Sequence, residues 1–168
     1  MKITTKKGDN GTTSQLKGKP ISKDDIKIEA IGTVDELCSF IGMAKSIVNK
    51  KTTKNILTNV QKDLFVIGSE IVSNPSYNLK KRIDTDNIKI LEAKISYFEK
   101  NNKKNNMCFV ISGKNLASST VDVARTVARK LERRIVTLKK KKKLKNKNIL
   151  IYLNRLSDLL FLIARSEE

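Results

Sequence analysis

The chain has 168 residues, with 35 Lys+Arg against 17 Asp+Glu and a formal charge of +18. That length suits one domain, 1–168, and an apolar fraction of 39% argues against wholesale disorder. Histidine is absent, which excludes Ser-His-Asp and Cys-His nucleophile systems, H-E-x-x-H zinc sites and any protein imidazole on haem or cobalt.

Met1-Lys2-Ile3-Thr4 does not open a signal peptide, and no apolar run approaches the roughly 18–20 residues of a membrane span. Cys38 and Cys108 lie too far apart for a C-x-x-C pair and are too few for a disulfide framework. A reducing compartment follows, the cytoplasm or an organelle matrix.

Residues 1–25 read as a loop rich in Gly, Thr and Lys. Gly8 and Gly11 permit close backbone approach, Thr5, Thr12, Thr13 and Ser14 offer hydroxyls, and Lys6, Lys7 and Lys23 offer charge. That is the chemistry of a phosphate cradle, although no G-x-x-x-x-G-K-[ST] loop occurs. Five segments with helical periodicity follow: 28–49, 53–73, 84–100, 115–138 and 148–166. Asn74-Pro75 closes the second, and Asp84 or Thr85 is the candidate N-cap of the third. A short β-branched stretch, Phe109-Val110-Ile111, leads into Ser112-Gly113 before the fourth. The expected class is all-α, a five-helix bundle.

Two helices carry polar stripes that a plain bundle does not need. The last helix is apolar almost all round, yet Asn154, Asp158 and Arg165 fall within roughly 40° of one another, with Phe161 beside them. Buried amides and carboxylates need partners, so this stripe must face charged groups, a ligand or another subunit. The fourth helix places Asp122, Arg125, Arg129, Glu132 and Arg133 within about 100° of arc. On its own that arc also fits a solvated face of i,i+4 ion pairs. Between the two helices, seven lysines fall within positions 139–147. A like-charge run of this kind repels itself and reads as a solvated connection, with a polyanion site as the alternative.

Four blocks, in order, resemble the cobalamin adenosyltransferases of the propanediol-utilisation type. They are Thr5-Lys6-Lys7-Gly8-Asp9-Asn10-Gly11-Thr12-Thr13, Gly32-Thr33-Val34-Asp35-Glu36-Leu37, Ala124-Arg125-Thr126-Val127-Ala128-Arg129-Lys130-Leu131-Glu132-Arg133, and Tyr152-Leu153-Asn154-Arg155-Leu156-Ser157-Asp158. The resemblance implies a five-helix bundle with an N-terminal nucleotide-binding loop, assembled as a homotrimer with active sites between subunits. It implies transfer of the 5′-deoxyadenosyl group of ATP to the cobalt of cob(I)alamin, with release of triphosphate and help from Mg2+. The cofactor then carries the hard chemistry, which suits a chain without histidine.

The same resemblance places ATP-binding residues at Thr5, Lys6, Lys7, Gly8, Thr13, Ser14 and Lys23, at Arg129, Lys130, Leu131, Glu132 and Arg133, and at Asn154. It gives catalytic roles to Arg129, Glu132 and Phe109, the last as the aromatic under the corrin, and pairs Asp35 with Arg125 across a subunit interface. No protein side chain is implied as a resident metal ligand. A flavoprotein reductase and an adenosylcobalamin-dependent enzyme are the implied partners; a membrane is not, and nucleic acid is disfavoured. The chain departs from the family pattern at Ser112-Gly113-Lys114, Asp122, Lys130, Cys38 and Lys7. Two other readings stand beside this one: a basic helical nucleic-acid-binding module using the lysine run, and a catalytically silent ATP-binding scaffold.

Overall fold

A computed structural model describes residues 4, 6, 8–15, 18–74, 77–101 and 110–168. Thr5, Lys7 and Phe109 lie outside the described residues. The described residues form five helices: α1 (Ile26–Ile47), α2 (Lys51–Val72), α3 (Thr85–Asn101), α4 (Leu116–Lys140) and α5 (Asn148–Ser166). They are the five read from periodicity, and the shifts at their ends have local causes. α1 starts at Ile26 because Asp25 caps it, its carboxylate accepting from Lys27 N at 2.8 Å. At α3 the cap is Asp84, whose Oδ1 accepts from Asp86 N and Asn87 N. Asn87 Oδ1 in turn accepts from Asp84 N at 3.1 Å, giving a reciprocal box. Asn115 caps α4 through a bond from Ser118 N at 2.8 Å. α4 runs on to Lys140, and its last-turn lysines, Lys139 and Lys140, sit where the helix dipole favours cations.

The N-terminal segment, expected as a loop, holds a two-residue antiparallel ladder, β1 (Thr12–Thr13) with β2 (Ile21–Ser22). Two residues are too few for an alternating pattern to register in sequence.

α5 packs against α4 and α3, and α1 against α4 and α2, so the helices lie in the order α2–α1–α4–α5–α3. The core runs through all of them: Leu37 and Ile41 of α1, Leu57 and Leu64 of α2, Leu131 and Ile135 of α4, and Leu156 and Leu160 of α5 are fully buried. Burial of each such side chain stabilises the fold by about 1.5–3 kcal/mol. Tyr152 is fully buried as well, and its hydroxyl donates to Asp63 Oδ2 at 2.8 Å, which ties α5 to α2. Among the described residues no helix is long and apolar enough to cross a membrane.

Candidate functional site

The polar stripes of α4 and α5 face one another. Asn154 Nδ2 donates to Glu132 Oε1 at 3.1 Å, and Arg155 donates to Asn154 Oδ1 at 2.9 Å. Arg155 also reaches Glu92 of α3 at 3.1 Å. Each group in this chain of bonds holds the next in one orientation, and Glu132 keeps its second oxygen for another partner. Arg129 and Arg133 are exposed beside Glu132, and the Arg133 side chain donates to the Arg129 carbonyl at 3.1 Å. Partial burial raises the Asp158 carboxyl above the ordinary carboxylate range; Arg155 and Arg129 oppose that shift and Glu132 adds to it.

Further along the same stripe, Asp122 is buried and serves two arginines. Arg165 approaches its Oδ2 at 2.5 Å and Arg125 its Oδ1 at 3.0 Å. The Arg165 guanidinium lies 5.3 Å from the centre of the Phe161 ring. The departure at Asp122 therefore has a structural role: it neutralises two cations where α4 and α5 meet.

Lys130 pairs with Glu36 of α1, and Arg134 with Glu29 of α1 at 2.7 Å. Leu131 stands apart from its charged neighbours because its side chain is fully buried in the core. Its placement in the nucleotide segment therefore leaves its side chain to packing, not to ligand contact. Asp35 is exposed on α1, at the edge of an apolar groove between α1 and α2 lined by Ile31, Val34, Leu64 and Phe65. Phe65 is 70% exposed there. Within the chain Arg125 meets Asp122, and Asp35 lies on a different face.

The N-terminal segment turns tightly around its glycines. Gly11 has φ +73°, which suits glycine, and its N–H donates to the Gly8 carbonyl at 3.2 Å. Lys23 N donates to the Gly11 carbonyl at 2.8 Å. A Cβ placed on Gly8 would lie 3.0 Å from Lys23 Nζ, so a side chain there would push the ammonium aside by a few tenths of an ångström. Gly8, Thr13, Ser14 and Lys23 are thus brought into one short hairpin, with Lys6 at its start. The hairpin is joined to the Asp25 end of α1, whereas Arg129 lies 11 residues, about 16 Å along the axis, before the end of α4.

Several pairings in this region leave no signal along the sequence. Tyr152 opens the fourth block, but its partner Asp63 lies on α2, where it also accepts from Asn87 Nδ2 of α3 at 3.1 Å. Glu92 is an isolated acid in sequence and Glu36 stands beside Asp35 in the second block, and only packing brings them to Arg155 and Lys130. Among the described residues no group of three or more Cys, Asp or Glu is arranged to hold a metal ion.

The family model for cobalamin adenosyltransferase matches residues 3–167. A corrinoid adenosyltransferase of Citrobacter freundii is 42% identical over 99% of this chain and 95% of its own length. A corrinoid adenosyltransferase of Bacillus subtilis is 34% identical over 98% of this chain and 86% of its own. The fold is likewise that of a variant PduO-type ATP:corrinoid adenosyltransferase from Lactobacillus reuteri solved with cobalamin and ATP. That structure superposes with a TM-score of 0.89 at 32% identity, over 98% of this chain and 92% of that one. With a shared helical frame and a match along nearly its whole length, the chain belongs to the cobalamin adenosyltransferase family.

Proposed function

We propose that this chain is an ATP:corrinoid adenosyltransferase that moves the 5′-deoxyadenosyl group of ATP onto the cobalt of cob(I)alamin. The observation that carries this is the Arg129–Glu132–Asn154 constellation, held between α4 and α5 in a chain that matches the family from residue 3 to 167. Cobalt(I) supplies the electron pair that forms the Co–C5′ bond. The C5′–O bond breaks, and triphosphate leaves with its electrons.

The protein's part is positional and electrostatic. Arg129, with Lys6 and Lys23 of the N-terminal hairpin, opposes the charge that grows on the triphosphate as the bond breaks. Thr5, Lys7, Gly8, Thr13 and Ser14 cradle the phosphates, and Lys130 and Arg133 add charge. Asn154 hydrogen-bonds the nucleotide while it holds Glu132. Mg2+ binds oxygen ligands, commonly phosphates with one or two carboxylates. The second oxygen of Glu132 fits that requirement, and the ion would screen the triphosphate there. Phe109 serves as the aromatic beneath the corrin.

The hairpin and the middle of α4 are separate parts of one chain, which supports a site shared between subunits of a homotrimer. The apolar groove of α1 and α2, with exposed Phe65, supplies a face for a second copy, and Asp35 on its rim would pair with the neighbour's Arg125. Arg125 has donors to spare beyond its bond to Asp122. A flavoprotein reductase would deliver cobalt(I), an adenosylcobalamin-dependent enzyme would take the product, and the cytoplasm is the compartment that fits free Cys38.

The test is direct. Protein, ATP, magnesium and chemically reduced cobalamin are mixed and the visible spectrum followed. Adenosylcobalamin and triphosphate should form in equal amounts; neither forming would sink the proposal.

A further inference from the structure

Two lysine-rich connections, far apart in sequence, meet at the end of the bundle that carries the N-terminal hairpin. The α2–α3 connection brings Lys80, Lys81 and Arg82, and the last turn of α4 with the α4–α5 connection brings the seven lysines of 139–147. A buried carboxylate clamps them together. Glu70 accepts from Ile83 N at 2.7 Å and from Asn146 Nδ2 at 2.9 Å, and lies 3.6 Å from Arg82. Asn146 also donates to the Ile83 carbonyl at 2.8 Å. Between the connections lies a small cavity of about 70 Å³, with Lys27, Arg82, Lys143 and Lys145 in its wall.

This basic end is continuous with the hairpin. Lys143 Nζ lies 2.8 Å from Asp25 Oδ2, and Asp25 N bonds back to Ser22 of β2. Lys23, between them in sequence, lies over Gly8. Asp25 and Glu70 at the junction each already face a cation, and exposed Asp9 and Asp24 are outnumbered by exposed Lys139, Lys140, Lys141 and Lys145. The 139–147 segment has no aromatic residue on which a base could stack, and its one large apolar residue, Leu144, packs against the core rather than toward a lipid surface. These features fit a small, highly charged, soluble anion.

We propose that this end of the bundle is an electrostatic funnel for ATP, raising the on-rate and affinity of the nucleotide at the N-terminal hairpin. The inference rests on the reading of that hairpin as the ATP site. Exposed charges act through their summed field, which reaches about 10 Å at 0.1 M salt and fades as salt rises.

The test replaces Lys139, Lys140, Lys141 and Lys145 together by Gln, with Lys23→Ala as a second variant. ATP binding is followed by stopped flow and calorimetry at about 20 mM and about 300 mM salt. At low salt the fourfold variant should bind ATP about three- to tenfold more slowly, and the difference should close at high salt. Turnover at saturating ATP should not change. An unaltered on-rate in the fourfold variant, with ATP binding weakened by Lys23→Ala, overturns the funnel and leaves the hairpin reading standing. If neither variant changes ATP binding, the hairpin reading falls and the funnel with it. Loss of duplex DNA retention by the fourfold variant, with ATP kinetics untouched, would also overturn the funnel and make the face a nucleic-acid surface.

Discussion

The middle of α4 and α5 and the basic end of the bundle both display cations, but they use them differently. At the middle, the polar groups around Arg129 are linked in a fixed order, Glu132 to Asn154 to Arg155 to Glu92. At the basic end, Lys139, Lys140 and Lys141 are exposed, and the connection is pinned by Glu70, Asn146 and Lys143 instead. One charge in a defined place contributes through geometry, which a single substitution destroys. A cluster contributes through its total, so any one member is dispensable.

Arg129→Ala should give the largest effect, a loss of about 10²-fold or more in adenosyl transfer, with the melting temperature almost unchanged. Equal losses in activity and thermal stability would make Arg129 a structural residue and break the contrast. Two positions on, Leu131→Ala should do the opposite, destabilising the protein by about 2–5 kcal/mol in urea unfolding because the site is fully buried. A stable Leu131→Ala protein with weakened ATP binding would move that side chain from core to ligand.

Tyr152→Phe removes the hydroxyl that holds Asp63 and should cost about 1–3 kcal/mol. Its pH dependence carries a sign. Burial raises the Asp63 carboxyl, and the bonds from Tyr152 and Asn87 oppose the rise. A raised acid binds its proton more tightly in the folded protein, so its contribution to stability is full below the unfolded value and is lost as pH climbs through the folded one. Without the Tyr152 hydroxyl that loss should move to higher pH in melting curves taken through the acid range. A decline left at the same pH would show that the hydroxyl does not act on Asp63.

Asp35→Asn should loosen the proposed trimer, read as a lower mass by light scattering at dilute concentration, with the monomer fold intact. An unchanged mass counts against the Asp35–Arg125 contact. The smallest effect belongs to Lys140→Gln, which should alter stability by no more than about 0.5 kcal/mol, because an exposed lysine in a cluster has no single partner to lose. A larger change would place Lys140 beside Lys143, as part of the pinning rather than of the field.

Much of this could be read from the chain alone, and the reason differs by element. The helices were legible because apolar residues recur at helical spacing over 17 to 25 residues, long enough for the pattern to outweigh local propensity. That Asn154 must face a partner was legible, since an amide on a nearly all-apolar helix needs one, but the choice of Glu132 over a ligand or another subunit was not. The β1–β2 ladder was not, being two residues a strand. Nor was the role of Lys143, which reads as one lysine of a run until Asp25 is seen beside it.

The sequence by itself determined the class of fold, the absence of imidazole chemistry and the four blocks that place the chain in its family. All of these depend on residue identity and spacing along one strand of chain. Tertiary structure alone decided that Asp122 would serve two arginines, that Leu131 would turn inward between charged neighbours, and that residues 80–82 and 139–147 would share one end of the bundle. Those outcomes depend on which faces helices bury against one another. Burial and pairing are properties of neighbours in space, and no one-dimensional pattern states who those neighbours are.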